Sequence, residues 1–318
     1  MITNLLKKQY RGEVATSVPP PIGRFWMPYV IALHTLLWAV TPHVWAQQPP
    51  PGQQSVVTNI NTSLPVIPAA SEQPQSIDVH DVQNPVASLI SVPFQGDTYF
   101  NYGPYRRTAN VLLIEPVIPF RLSEKWNLIV RAITPLISEP RISPSQDSQF
   151  GLGNLQPQFY LSPAHAGKIL WGLGPQLWLP TATDKSLGVN KWGGGPAGAA
   201  LTIHGPWVVG ALVNNQWAGS GNNRVNQLSL NPFANYNLPK GWYFISSGIT
   251  TADWTKPTDR WTVPIGGGIG RLFRIGLLPV NARVQFLNNV VRPLYTPTWQ
   301  VQYQVQFLLP AGSKNKKH

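Results

Sequence analysis

Few side chains in this sequence could act as catalysts or metal ligands. There is no cysteine, and four of the six histidines, His80, His165, His204 and His318, are widely separated. A hydrolase with a serine nucleophile needs a histidine and an orienting polar group within hydrogen-bond reach. The histidines show neither this grouping nor the spacing of a metal site. The sequence therefore predicts that the protein is not an enzyme and holds no metal or cofactor.

Side chains that can form hydrogen bonds, above all amides, are abundant. Many of them recur at every second residue. The clearest case is 299–307, where Gln300, Gln302, Gln304 and Gln306 alternate with apolar or aromatic residues. Successive side chains of a β-strand point to opposite faces, so this segment has one polar and one apolar face. Such a strand fits a soluble sandwich, or a membrane barrel with lipid outside and a polar lumen inside.

Segments of this kind recur at even spacing. We predict twelve strands, near 86–94, 107–119, 125–137, 150–161, 168–180, 191–203, 206–218, 225–238, 241–251, 260–271, 278–290 and 297–308. Short turns at 121–124, 162–167, 204–205, 239–240 and 273–277 alternate with loops centred near 100, 144, 186, 222, 256 and 294. We expect the loops to be short, roughly 6 to 12 residues. An even strand count with this alternation is typical of an all-β, antiparallel, up-and-down transmembrane barrel of the Gram-negative outer membrane.

The composition supports a membrane barrel. Charged residues make up only 11% of the chain, against about 25% in soluble domains, and no apolar run is long enough for a spanning helix. Trp207 and Trp217 stand ten residues apart on one side of a predicted strand, roughly 23 Å along the membrane normal, close to the apolar band of about 25 Å. The alternative is a soluble sandwich with core tryptophans. We predict an aromatic girdle of Trp126, Trp207, Trp217, Trp242, Trp261 and Trp299.

If the polar phase of each strand faces inward, the lumen is polar and nearly uncharged. The predicted lining consists of Glu115, Arg131, Gln156, Gln158, Asn214, Gln216, Gln227, Asn231, Asn235, Asn281, Arg283, Gln285, Gln300, Gln302 and Gln304. We expect glycines at 194, 198, 266, 268 and 270 to leave space along two strands. A charge-poor lumen of twelve strands suits small neutral or amphiphilic solutes more than selected ions.

Glu115 and Arg131 are two of the few charges within the predicted strands. A hairpin centred on residue 123 places them opposite each other, because their numbers sum to twice that value. Facing lipid near mid-membrane costs an arginine about 2–4 kcal/mol, so both should face the lumen. We hypothesise an ion pair between them; the alternative is that each faces lumen water separately.

The two ends of the chain differ in composition from the middle. Residues 1–46 contain an apolar run, preceded by basic residues and followed by a small-residue cleavage site at Ala46, as in a signal peptide. Residues 47–84 are rich in Pro and Gln, which predicts a disordered periplasmic lead; the alternative is a lumen plug or a partner-binding arm. The barrel itself is predicted over 85–310, with a basic tail at 311–318.

Several segments, taken in order, resemble a known family. They are 84–95, 114–120, 126–131, 179–184, 205–217 and 259–270. Together they resemble a family of bacterial outer-membrane proteins labelled MetA-pathway of phenol degradation, whose members are called transporter or, by mis-transfer, neuromedin U. The resemblance covers most of residues 84–310. It implies a barrel, suggests uptake of small hydrophobic or aromatic compounds, and supplies no binding residues. The chain departs from the family after Phe307, since such barrels commonly end in an aromatic residue.

The leading interpretation is a porin-like outer-membrane channel or transporter for small neutral or hydrophobic solutes, including aromatic ones. The alternatives are a closed structural or adhesive barrel and, remotely, a barrel-embedded lipase. Expected partners are the lipid bilayer, lipopolysaccharide, the outer-membrane assembly machinery and small solutes. The net charge of +12 is scattered and forms no stripe that could follow a nucleic-acid backbone, so no nucleic acid is expected.

Overall fold

The computed structural model describes residues 79–84, 89–165, 167–220 and 224–309. The predicted signal peptide at 1–46, the predicted lead up to residue 78 and the predicted basic tail at 311–318 lie outside these residues. Within the described part of the chain, no helix is long and apolar enough to cross a membrane.

The described chain consists almost entirely of β-strands joined by turns. A short helix, α1 (Val79–Val82), comes first, and a 3-10 turn (Pro239–Gly241) lies between the tenth and eleventh strand segments. The strand segments are β1 (Ile90–Tyr102), β2 (Arg107–Ile114), β3 (Val117–Arg121), β4 (Trp126–Glu139), β5 (Gln149–Leu152), β6 (Gln156–Pro163), β7 (Ile169–Trp178), β8 (Gly193–His204), β9 (Trp207–Ala218), β10 (Val225–Asn237), β11 (Trp242–Ser247), β12 (Thr250–Asp253), β13 (Trp261–Ile275), β14 (Leu278–Val291) and β15 (Trp299–Leu309).

These segments form one closed antiparallel barrel in which chain neighbours pair. β2 with β3, β5 with β6 and β11 with β12 are each a single barrel strand with an interruption, so fifteen segments make twelve barrel strands. β15 pairs with β1 from Ile90↔Leu309 to Phe100↔Trp299, which closes the sheet. Closure removes the free strand edges that would otherwise pair with other chains. The predicted twelve-stranded barrel is confirmed.

Short turns at one end of the barrel alternate with mostly longer loops at the other, but three predicted connections were wrong. The first barrel strand runs to Tyr102 rather than ending near residue 94, so its loop is the four-residue turn 103–106. The last short turn is only 276–277, because β13 continues to Ile275 and Gly276 adopts the left-handed conformation that glycine tolerates. The longest loop spans 179–192, fourteen residues, which exceeds the predicted range.

Side chains alternate between the lumen and the outside along each strand. In β15 the four glutamines are buried, whereas Tyr303 and Val305 are each 40% exposed on the outer face. Many more apolar side chains are exposed on that outer face, among them Leu173, Val213, Phe244, Ile265, Ile269 and Phe286. A soluble protein rarely exposes so much contiguous apolar surface, whereas a transmembrane barrel requires it as its lipid-facing band.

The six tryptophans predicted for a girdle lie at strand ends with partly exposed, outward rings. Trp126, Trp207 and Trp242 begin strands at the short-turn end of the barrel. Trp217, Trp261 and Trp299 lie at the loop end. Two belts of amphipathic rings at opposite ends of an apolar band match the two interfaces of a bilayer.

The residues of β8 that face the lumen differ from those predicted. The pairs Ala197↔Asn214 and Ala199↔Leu212 place the odd-numbered residues of β8 inside, so Gly194 and Gly198 face outward. The prediction that these two glycines leave lumen space was wrong, because the glycine run at 193–195 has no polar alternation that would fix the phase. The glycines at 266, 268 and 270 face the lumen, as their pairing with β14 requires.

Candidate functional site

The structure brings the predicted lining residues together inside the barrel. Gln285 is fully buried in the wall, where its amide donates to Gln302 and to the Ser247 carbonyl at 2.8 Å. The other fourteen border two cavities, namely Glu115, Arg131, Gln156, Gln158, Asn214, Gln216, Gln227, Asn231, Asn235, Asn281, Arg283, Gln300, Gln302 and Gln304.

Two cavities lie in series along the barrel axis. The inner cavity, about 180 Å³, reaches toward the short turns, where Asn281 and Gln306 border it. The outer cavity, about 260 Å³, reaches toward the loops, where Trp178 and Thr296 border it. Both cavities share one set of bordering side chains, which we call the waist: Glu115, Arg131, Leu212, Asn231, Ile249 and Gln302. The two small chambers therefore adjoin at the waist.

The hypothesised ion pair is present at the waist. Arg131 Nη2 lies 2.8 Å from Glu115 Oε2, and Arg131 Nη1 also donates to Gln158 at 3.3 Å. The predicted hairpin centre was wrong by one residue, since Val117↔Arg131 and Ile114↔Thr134 centre the hairpin on residue 124, which shifts the predicted cross-strand partner by two residues. Glu115 lies in the interruption between β2 and β3, so the pair forms diagonally along the same face of the barrel wall.

A second charged group, Asp97, faces the lumen and was missed by sequence reasoning. It accepts hydrogen bonds from Gln302 at 2.8 Å and from Gln95 at 3.1 Å, while the Gln95 carbonyl accepts from Arg283 at 3.1 Å. Gln95 thus stands between a carboxylate and a guanidinium. The sequence signal for this lumen-facing charge was the polar alternation Gln95-Gly96-Asp97. These residues were predicted to lie near a loop, because residues such as Pro93 and Asp97 interrupt strands in most sheets.

The remaining amides form a connected network on one side of the lumen. Gln158 donates to Gln176 at 2.7 Å, and the Gln156 carbonyl accepts from Gln176 at 3.2 Å and from Gln216 at 2.9 Å. The last contact links β6 to β9 across two intervening strands. Amides that bond to each other in this way are held in fixed orientations, which pre-organises them toward a solute.

The wall of the outer cavity that adjoins this network is apolar, which corrects the expectation of a uniformly polar lumen. Its side chains come from β1, β2 and β4, and they are Tyr99, Val111, Leu113, Ile133, Pro135 and Ile137. The sequence hid this wall because the run Val111-Leu112-Leu113-Ile114 is apolar on both faces and does not reveal which residues point inward. The outer cavity is therefore amphipathic.

Loop 179–192 folds into the outer end of the barrel. Leu187 is buried against Val111 and Ile137, two side chains of the lumen face. Asn154 holds the base of the loop, because its Nδ2 donates to the carbonyls of Leu179 at 2.6 Å and Val189 at 2.8 Å. The loop narrows the outer opening.

The tip of this loop carries a local hydrogen-bonded turn. The Ser186 backbone N–H and hydroxyl both donate to Asp184 Oδ1 at 2.7 Å. These bonds hold the pKa of the exposed Asp184 carboxyl below its usual range. This turn uses different hydrogen-bonding groups from those of the anchor at Asn154.

Replacing Asn154 with alanine is expected to release loop 179–192 without unfolding the barrel. Two buried carbonyls lose their donor, and each lost hydrogen bond costs about 1 kcal/mol. Limited trypsin digestion of the folded protein in lipid vesicles should then cleave faster after Lys185 and Lys191, by roughly tenfold or more. Ser186→Ala, which alters only the tip, serves as the control. Equal cleavage of both variants would show that Asn154 does not anchor the loop.

The inner end of the barrel is narrowed by the chain segment that precedes β1. Val82 of α1 is buried, and Gln83 exchanges side-chain hydrogen bonds with Asn237 at 2.8 and 3.3 Å. Val82, Gln83, Asn84 and Leu89 border the inner cavity. The predicted lead ends at residue 84, and its last three residues, 82–84, border the inner cavity.

The described histidines lie on three different elements. His165 lies in the turn after β6 and His204 ends β8, both at the short-turn end, while His80 belongs to α1. Among the described residues, no group of three or more His, Cys, Asp or Glu side chains could hold a metal ion.

The structure of the barrel is shared with solved outer-membrane proteins. An outer membrane channel from Pseudomonas putida F1 superimposes with a TM-score of 0.54 at 16% sequence identity, covering 70% of this chain and 95% of that chain. This protein has the fold of an outer-membrane channel. Outer membrane phospholipase A from Escherichia coli gives a TM-score of 0.39 at 13% identity, covering 70% of this chain and 90% of that one. The KdgM porin bound to disordered oligogalacturonate gives 0.36 at 10% identity, covering 69% and 97%.

Sequence comparisons found no match for this chain. No protein-family profile matches the chain, and no curated protein matches it. The structural likeness therefore establishes the fold alone.

Proposed function

We propose that the protein is an outer-membrane channel for small solutes that are neutral or hydrophobic, including aromatic compounds. The observation that carries this proposal is the pair of chambers in series through the barrel, joined at the waist. The outer chamber has an apolar wall beside a wall of amides. A solute with an apolar body and a polar substituent satisfies both walls at once.

The physical chemistry of the lining favours passage over tight retention. Conduction requires binding that is strong enough for the solute to enter and weak enough for it to leave. An uncharged amide offers a hydrogen bond worth about 1 kcal/mol, whereas a bound ion would be held more strongly. The paired charges at the waist, Glu115 and Arg131, compensate each other and present no net charge to a neutral solute.

The location and partners follow from the same proposal. The chain is inserted in the outer membrane of a Gram-negative bacterium after export by a signal peptide over 1–46, with lipopolysaccharide and the assembly machinery as its partners. The exposed apolar band and the two tryptophan belts support a lipid-facing exterior. The resemblance of six sequence segments to the MetA-pathway phenol-degradation family supports membership of that family and a small aromatic solute.

A closed barrel without transport is the second candidate. It is favoured by the narrowing at both ends, where Leu187 of loop 179–192 packs inside one opening and residues 82–84 and 89 border the inner cavity at the other. The two candidates differ in whether a continuous aqueous path exists.

Planar-bilayer recording separates the two candidates. Protein lacking residues 1–46 is expected to give discrete current steps, and further removal of residues 47–84 should increase the step size, because Val82 and Gln83 no longer border the inner chamber. Addition of phenol should reduce or interrupt the current. Protein that is shown to be folded by heat-modifiable gel mobility, yet conducts in neither form, would contradict the channel and support the closed barrel.

A further inference from the structure

Arg283 is a lumen guanidinium without an ion partner among the described residues. Its Nη2 donates to Gln95 at 3.1 Å, and no other hydrogen bond or salt bridge reaches it within the described part of the chain. Its Nε is buried and has no hydrogen-bond partner. A buried donor of this kind costs free energy unless something satisfies it.

The other lumen charges do not fill this need. Glu115 is engaged by Arg131, and Asp97 accepts from Gln95 and Gln302. The Gln95 amide stands between Asp97 and Arg283, so the carboxylate and the guanidinium do not touch. The free N–H groups of Arg283 are thus left for a group that enters the inner cavity, which Arg283 borders.

An orphan acceptor borders the same cavity. Asn235 is 4% exposed, and its Oδ1 is buried without a hydrogen-bond partner. In the barrel wall Asn235 pairs with Ile245, Ile245 with Gly268, and Gly268 with Gln285, the next inward residue to Arg283 on β14. Three strand spacings of about 4.8 Å separate the two backbones along this row. Both side chains border the same inner cavity.

The lining of the inner cavity also includes apolar side chains. Phe233, Ile245 and Leu212 border the inner cavity together with Pro93 and Val117. An occupant therefore needs an apolar body, an anionic end for the guanidinium fork and a donor for the amide oxygen. A carboxylate fits the fork because guanidinium groups bind carboxylates through two parallel hydrogen bonds.

We propose that the inner cavity is a binding site for small organic acids with an apolar body, in which Arg283 binds the carboxylate and Asn235 accepts a hydrogen bond from a hydroxyl substituent. This inference rests on the proposed channel and goes beyond it, since it adds an amphiphilic anion to the neutral and hydrophobic solutes. Its failure and the failure of the channel are distinguishable because binding and conductance are measured separately.

The experiment titrates the folded, full barrel in detergent with benzoate and with benzyl alcohol, which share a ring and differ in charge, using calorimetry at pH 7. Wild type is expected to bind benzoate more tightly than benzyl alcohol. Arg283→Gln should weaken benzoate binding about tenfold or more, the loss expected for a charge-assisted contact, and leave benzyl alcohol unchanged. Arg271→Gln is the matched control, because Arg271 lies on the outer face against Trp242 at 5.0 Å.

Benzoate affinity equal in Arg283→Gln and wild type would overturn the inference, as would failure of wild type to bind benzoate. Asn235→Ala gives an independent test if the arginine variant does not fold. Wild type should prefer 3-hydroxybenzoate to benzoate, and the alanine variant should lose this preference; an unchanged preference also counts against the site. Current steps that persist in planar bilayers while benzoate binding fails would leave the channel standing without the acid site.

Discussion

Reversing the charge of Glu115 with lysine is expected to destabilise the barrel by about 3–5 kcal/mol, the cost of leaving a buried partner uncompensated. Arg131 is held 2.8 Å from Glu115, and the Glu115 side chain is only 7% exposed. Arg131→Glu should have a similar effect and should also break the contact with Gln158. Combining Glu115→Arg with Arg131→Glu restores opposite charges and should recover most of the loss.

Urea unfolding in lipid vesicles, followed by tryptophan fluorescence and heat-modifiable gel mobility, measures this effect. Lys125→Glu in the turn between β3 and β4 is the matched control, because it reverses an exposed charge in the same hairpin. Exposed charges contribute about 0–1 kcal/mol, so the control should stay close to wild type. If the single reversals and the double exchange destabilise the barrel equally, the two charges are satisfied by water rather than by each other.

Alanine at Gly268 is expected to prevent correct assembly of the wall between β13 and β14. A Cβ at this position would lie 1.9 Å from the Val284 carbonyl oxygen and 2.5 Å from the Gln285 Cα. Both are backbone atoms of the paired strand, so no side-chain rotation relieves the clash. Overpacking typically costs about 1–3 kcal/mol and more when backbone must move, and we expect the upper end here.

The clash at Gly268 has a second effect. Gln285 crosses this part of β13 to bond with both the N–H and the carbonyl of Ser247, and a shifted Gln285 would lose these contacts. Gly167→Ala is the control, because nothing lies within 4 Å of a Cβ there. The fraction folded in vesicles at increasing urea gives the comparison. Equal midpoints for the two alanine variants would mean that the wall can adjust to a side chain at residue 268.

The barrel could be predicted from the sequence because strong alternation of polar and apolar residues identifies both a strand and the face that points into the lumen. The glutamines of β15 are the clearest example, since each apolar neighbour points to lipid and each amide to the lumen. The pair of Glu115 and Arg131 could be predicted from hairpin geometry although the predicted centre was off by one residue, because this error shifts the partner by two residues and residues two apart on a strand share a face.

The sequence failed where alternation is absent. The glycine run before Pro196 does not reveal which residues of β8 face the lumen. The apolar run at 111–114 likewise does not reveal the apolar wall of the outer cavity. Pro93 and Asp97 in β1 favoured an early strand end in the prediction, because such residues interrupt strands in ordinary sheets. The chambers are bounded by long-range packing of loop 179–192 and of residues 82–84 and 89, which no local pattern encodes.

The closure of β15 on β1 has a consequence for the order of folding. Every other barrel strand pairs with its neighbour in sequence, so those pairings have low contact order and can form by successive hairpin addition. The junction between Ile90 and Leu309 instead joins opposite ends of the domain, and it must absorb nearly the whole loop-closure entropy of the barrel. We expect this seam to form last, aided by the stacked rings of Phe100 and Trp299, whose centroids are 3.9 Å apart. Until it forms, both seam strands expose unpaired backbone groups, and that interval is when the chain is most open to aggregation.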